Sequence, residues 1–329
     1  MKGELNYEAI AVELLQALRG KRSCADFSRR MGYSSNVAHR WESQRSWPTA
    51  ARYLQLHRRL NPGTPACLER FFRRPPDWLE TCDPESPEAV AAFLRALKGK
   101  TSIDTLAELG SFSRYQVSRW LSAQTQPKLP EFLRLVEVAS RRLLDLLATC
   151  VDPERLPSVA KRWRVLQAAR NAAYQDPWSH AALRALEIGA TASGAAQIPW
   201  LAERLGIDVE HVRSSLKVLE TTGQIKKKRG RFTPRAAMAV NTARDPTLSL
   251  QLKQAWSRVA VARLEQGAPG NFGYSLFAIS RRDLQRLRDL HLAYVRAMQD
   301  LIAQSRPNEC VGLYCAQLLD LGVKDNALE

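Results

Sequence analysis

Leu15-Gln16-Ala17-Leu18-Arg19-Gly20-Lys21-Arg22-Ser23 and Leu94-Arg95-Ala96-Leu97-Lys98-Gly99-Lys100-Thr101-Ser102 are two copies of one segment, offset by 79 residues. The same offset pairs Ser34 with Ser113, Arg40 with Arg119, Trp41 with Trp120, Ser43 with Ser122, Pro48 with Pro127, Leu54 with Leu133 and Leu56 with Leu135. An ungapped repeat of this length means that one supersecondary unit is built twice. Each copy carries an Arg-Trp pair late in a short helix, a loop closed by Pro and an apolar final helix, which is the plan of a helix-turn-helix unit.

In the first copy Ile10, Leu14, Ala17 and Leu18 share one face of an opening helix that stops at Gly20. Ser23 is placed to cap a second helix, with Asp26 in the position of a capping-box acid. After the Gly32-Tyr33 turn, Ser34 is expected to cap a third helix from Ser35 to about Gln44, with Ala38 and Trp41 inward. A further helix carries Tyr53, Leu54, Leu56 and Leu60. A Pro-bearing connection from Pro75 to Pro87 acts as a semi-rigid spacer to the second copy, where Val117 and Trp120 face inward.

Beyond the repeats the pattern changes. A basic helix from Ser158 to about Gln175 ends at Asp176-Pro177, and three helices to Thr222 precede Gly223-Gln224-Ile225-Lys226-Lys227-Lys228-Arg229-Gly230-Arg231-Phe232-Thr233, two short strands about a basic tip. That is the signature of a winged helix, with His211, Arg213, Ser214 and Ser215 on its reading face. A helix near Leu248 to Leu264, a strand from Phe272 to Ile279, a helix from Arg281 to Ser305 and a strand from Val311 to Leu321 imply a small α+β end domain. The whole is therefore expected to be mainly α: repeats over 1–75 and 76–150, a connecting helix over 151–177, a winged helix over 178–245 and an α+β regulatory or dimerisation domain over 246–329.

The chain has 49 Lys and Arg against 33 Asp and Glu, a formal charge of +16, which suits a polyanionic partner. Much of the charge is Arg beside an aromatic ring, as in Arg40-Trp41, Arg162-Trp163-Arg164 and Arg231-Phe232. Arg forks onto phosphate and guanine, so nucleic acid is favoured over a lipid surface. No apolar run reaches the roughly 18 residues of a membrane span, and Met1 to Asn6 opens no signal peptide, so a cytoplasmic, nucleoid-associated protein is expected. Six Cys without a Cys-x-x-Cys pair, and five scattered His, argue against structural zinc and for reduced, packed thiols. No cofactor is expected. No phosphate loop or nucleophile-base arrangement points to an enzyme.

The repeats resemble the Cro and phage-repressor type of helix-turn-helix, through Gly32-Tyr33-Ser34, Arg40-Trp41-Glu42 and Pro48, and through Ser111-Phe112-Ser113, Arg119-Trp120-Leu121 and Pro127. The region from about Trp178 is similar to bacterial regulators with a conserved C-terminal domain of unknown function, through Leu201 to Ile207, Leu219 to Gly223 and Ser275 to Leu284. The resemblance implies base reading by Ser35, Asn36 and Arg40 and phosphate contact near the Ser34 cap in the first repeat, and His39 on the same outward face is expected to donate to phosphate. In the second repeat the resemblance implies base reading by Arg114, Tyr115 and Arg119 and phosphate contact near the Ser113 cap, with Ser118 on the outward face, and Lys226, Lys227, Lys228, Arg229 and Arg231 form a basic wing. The function expected is a sequence-specific transcription regulator, a repressor-type homodimer on double-stranded DNA with an extended inverted-repeat operator. A non-specific architectural protein and an adaptor with a ligand- or protein-binding C-terminal domain are the alternatives.

Overall fold

The computed structural model describes residues 5–72, 76–188, 194–235, 242 and 245–322. The fold is mainly α, with one two-stranded sheet among the described residues. The chain divides into two units, one running to residue 168 and one from residue 169 on.

In the first unit the 79-residue offset governs the elements as well as the letters. Helices α1 (Tyr7–Arg19), α2 (Cys24–Arg30), α3 (Val37–Glu42), α4 (Ala50–Leu60) and α5 (Cys67–Phe71) are followed by a short α6 (Trp78–Thr81). The second set is α7 (Pro87–Lys98), α8 (Ile103–Gly110), α9 (Arg114–Leu121), α10 (Leu129–Ser140) and α11 (Leu143–Cys150), before the long α12 (Pro157–Gln175). Ser23 Oγ caps α2 by accepting from Asp26 N, and Ser102 Oγ caps α8 by accepting from Thr105 N. Tyr33 meets Trp41 edge-on at 5.6 Å, and the equivalent Phe112 meets Trp120 at 5.0 Å. Both Trp side chains are only 5% exposed, as inward residues should be. Even the unusual backbone repeats: Gly32 and Ser111 both have positive φ (85° and 54°), as do Gln44 and Ala123. Glycine suits the first of these turns, whereas Ser111 adopts it against its own Cβ.

The two sets share one apolar core, from Ile10, Leu14 and Phe27 through Phe93, Leu94 and Leu106 to Leu133 and Leu143. They are also joined by backbone. Ala50 N donates to Pro127 O at 3.0 Å, Leu129 N donates to Pro48 O at 2.9 Å, and Thr49 lies opposite Lys128 in an antiparallel bridge. Thr49 and Lys128 are equivalent positions of the repeat, and the two hydrogen bonds are equivalents of each other. Nearby, Arg134 of α10 covers the Tyr7 ring at 5.2 Å, while its equivalent Gln55 donates to Glu85 O at 3.3 Å. Between α4, α5 and the end of α11, His57 Nε2 lies 2.8 Å from Cys150 O and its Nδ1 lies 3.5 Å from Cys67 Sγ. All six Cys are free thiols.

In the second unit α13 (Pro177–Glu187), α14 (Gln197–Leu205) and α15 (Val209–Thr221) pack Ala182, Leu186, Leu201, Leu205, Val212, Leu216 and Leu219 with Ile225 and Phe232 of an antiparallel hairpin, β1 (Ile225–Lys228) and β2 (Arg231–Pro234). Then come α16 (Pro246–Glu265) and α17 (Arg281–Gln304). The strands expected over Phe272–Ile279 and Val311–Leu321 are absent: both stretches lack strand pairing, Tyr274 is 94% exposed and Leu276 78% exposed. A strand needs a paired edge and one buried face. The alternation is present, with Phe272, Tyr274 and Leu276 on one face, yet no second strand among the described residues pairs with the stretch and that face lies exposed. The expected α+β end domain is thus helices and irregular segments among the described residues.

Candidate nucleic-acid interface

The first helix expected to read DNA, α3, is shorter than its sequence predicts. Asn36 caps it, its Oδ1 accepting from His39 N at 3.2 Å, and the helix begins at Val37. Ser34 and Ser35 lie before the helix, exposed, so the expected cap at Ser34 is displaced by two residues. The reason is local competition: Asn binds its own downstream N–H at least as well as Ser does. His39 and Arg40 are exposed on the outward face, and the Arg40 guanidinium has no protein partner among the described residues. The reader is braced from behind. Arg19 of α1 forks onto Glu42 at the end of α3, Nε to Oε1 at 2.6 Å and Nη2 to Oε2 at 3.1 Å.

The second helix expected to read DNA, α9, starts where its sequence predicts. Ser113 Oγ accepts from Gln116 N, and Gln116 Oε1 accepts from Ser113 N, a reciprocal box. Arg114, Tyr115 and Ser118 are exposed, with Arg114 Nε 3.0 Å from Asp104 Oδ1. Arg119 folds over the Tyr115 ring at 5.3 Å and reaches its hydroxyl at 3.3 Å. It is half-buried where Arg40 is exposed, so the two equivalent arginines are presented differently. The brace differs too. Lys98 and Leu121 stand in place of Arg19 and Glu42, Leu121 is buried, and Arg95 Nη1 takes the Leu121 carbonyl instead.

The hairpin of the second unit turns on Arg229 (φ 51°) and Gly230 (φ 77°), both left-handed, as a two-residue turn of the right twist requires. Lys226, Lys227, Lys228, Arg229 and Arg231 are all exposed around it, with the Lys227 amine over the Phe232 ring at 5.1 Å. Gln197 anchors the hairpin from beneath: Nε2 donates to Phe232 O at 3.0 Å, and Oε1 accepts from Phe232 N at 2.8 Å. Composition gave no hint of that contact, since a Gln at the start of a helix reads as surface. The reading face expected on α15 is only partly outward. Ser215 is fully buried and donates to Asp176 Oδ2 at 2.6 Å, while His211 Nε2 lies 3.2 Å from Asp176 Oδ1. Ser214 and Arg213 remain exposed, the latter beside Glu210.

The second unit also forms an open cavity of about 460 Å³, lined by Trp178, Ala181, Leu205, Trp256, Val259 and Val311 together with Arg184 and Arg263. His180 in the same wall is held down to about 4, first by burial and then by the charge of Arg184. Arg263 donates to Leu205 O at 2.7 Å. No pocket is legible in the sequence here because the walls come from four separate stretches of chain.

Among the described residues no helix is long and apolar enough to cross a membrane. No curated protein and no solved structure matches the chain. Residues 158–318, from α12 through α17, match the family model of a domain of unknown function, DUF4423, and the two N-terminal repeats lie outside that match.

Proposed function

We propose that this protein is a DNA-binding transcription regulator. It reads base sequence through α3 and α9 of two helix-turn-helix repeats, and the α13–α15 helices with the β1–β2 hairpin act as a winged helix that grips phosphate. One observation carries the reading. Two short helices at equivalent places of a duplicated frame both keep an aromatic plug inward and present Ser, Asn, His, Tyr and Arg outward, the side chains that meet base edges and phosphates. The net charge of +16 and the five cations of the hairpin fit the same partner. Self-association through residues 246–329, where large apolar side chains lie exposed, belongs to this reading.

Affinity enrichment of sheared genomic DNA on the purified protein, at about 0.15 M salt to suppress charge-only binding, tests it. A recurring motif upstream of a few genes supports the regulator. Arg40→Ala should then erase discrimination at one or two positions of the motif, whereas an architectural protein would show flat enrichment and only a shallower salt dependence. A second role for the other unit is favoured by its cavity, large enough for a small ligand and lined in part by the packed rings of Trp178 and Trp256. A regulator whose DNA binding responds to such a ligand joins both.

A further inference from the structure

The geometry points to a single chain that reads both halves of an inverted DNA site, each half with its own base sequence, an inference that rests on the DNA-reading proposal above. The starting point is the backbone joint between the repeats. Ala50 N to Pro127 O and Leu129 N to Pro48 O are one hydrogen bond made twice, and the residues between them, Thr49 and Lys128, are equivalent positions. An antiparallel bridge between equivalent residues has a local two-fold axis through its centre. The repeats are therefore related about that joint as the two subunits of a two-fold dimer are, inside one chain.

The readers hang close to this axis. Glu42 ends α3 seven residues before Thr49, and Leu121 ends α9 seven residues before Lys128. Fully extended, such a segment spans at most ~25 Å. These are not extended: Arg45 N and Ser46 N both turn back to Arg40 O, and Thr125 N turns back to Arg119 O. Half-sites one helical turn apart lie ~17 Å from their dyad, which is within that reach.

The outward residues are what separates this arrangement from a homodimer. Position by position, Ser35 faces the role of Arg114, Asn36 that of Tyr115 and His39 that of Ser118, while Arg40 matches Arg119 and the flanking Ser34 and Ser43 match Ser113 and Ser122. Asn36 Oδ1 is engaged at its own helix start, while Tyr115 projects 69% exposed. Two readers with different side chains select different half-sites, whereas identical subunits with one reader each select identical ones.

The experiment is selection of bound sequences from a randomised duplex library by the full-length protein, at about 0.15 M salt. The expected product is two unlike half-motifs in inverted orientation, with centres about one turn apart. Arg40→Ala should relax selection in one half only, and Arg119→Ala in the other only, each by roughly 5- to 100-fold at the affected base pair. Arg40 is exposed and Arg119 half-buried against Tyr115, and unchanged melting of the variants confirms that folding is intact. A perfect palindrome whose halves both respond to Arg40→Ala while Arg119→Ala is silent would overturn the inference and leave DNA reading standing. Two half-motifs in direct orientation would do the same. No enriched motif for the unmodified protein would sink the DNA-reading proposal itself, and this inference with it.

Discussion

Replacing Gln197 with Leu tests whether the basic hairpin is held by one buried amide. In a two-residue hairpin the pair next to the turn, here Lys228 and Arg231, is the hydrogen-bonded one, and pairs alternate thereafter. Lys227 and Phe232 are then a non-bonded pair, so the N–H and C=O of Phe232 point away from β1. Gln197, 1% exposed, takes both. Leu has similar bulk and restores neither bond, leaving two buried backbone groups unpaired at about 1–3 kcal/mol each. The expected loss is about 2–5 kcal/mol, a large part of the 5–15 kcal/mol typical of a domain. Denaturant unfolding followed by far-ultraviolet circular dichroism would read it. Gln197→Glu sharpens the test, because a buried carboxylate can accept from Phe232 N–H but opposes Phe232 O. Its charged form is disfavoured on folding, so its folded pKa lies above its unfolded one, and stability should rise as pH falls through the folded value. If Gln197→Leu costs less than about 0.5 kcal/mol, or Gln197→Glu shows no recovery in acid, the hairpin is held by something else.

Three further perturbations follow from the same geometry. Arg19→Met strands the largely buried Glu42 and should cost about 2–4 kcal/mol, while Arg19→Lys with Glu42→Leu, which copies Lys98 and Leu121 of the second repeat, should regain most of it in thermal melts. Ser111→Gly relieves a left-handed residue at the position where the first repeat has Gly32, and should stabilise by up to about 1 kcal/mol; a loss of stability there would contradict the turn geometry. Burial holds His180 near 4 against about 6.5 when unfolded, so between those values the unfolded chain binds a proton that the folded chain does not. Stability should therefore fall as pH drops from 6.5 to 4, by up to about 3 kcal/mol from this group, and His180→Gln should flatten that slope in unfolding measured across the window.

The repeat was legible because it is written in kinds of residue that local physics uses directly. Ser23 and Ser102 cap, Gly20 and Gly99 stop, Trp41 and Trp120 plug, and each lands where its type predicts. What escaped were features set by more distant partners. The cap of α3 moved from Ser34 to Asn36 because the two compete within a few residues. The joint at Thr49 and Lys128 is backbone pairing, with no side-chain signature. Gln197 and Ser215 read as polar surface, yet each is buried with a partner, Phe232 and Asp176, far along the chain. The short α5 and α11 were invisible for another reason: Ala66 and Arg142 stand at their N-caps, without the Ser or Asn that marks the starts of α2, α3 and α9.

The same distinction explains the end of the chain and gives a last prediction. Phe272 to Ile279 and Val311 to Leu321 have the composition of strands but no paired neighbour among the described residues, and within one chain Leu276, Leu319 and Leu321 remain exposed. Burying such a side chain is worth about 1.5–3 kcal/mol, and monomers rarely leave many of them together in water. A second copy, brought by the self-association proposed above, would cover them. Leu276→Lys with Leu319→Lys should then leave the melting of a dilute sample nearly unchanged, since both side chains are already exposed, yet abolish concentration-dependent association in sedimentation velocity. If the unmodified protein sediments as a monomer at tens of micromolar, the C-terminal region is not a dimer seam. The two readers of each chain would then have to engage DNA without help from a second subunit, which the internal two-fold joint at Thr49 and Lys128 permits.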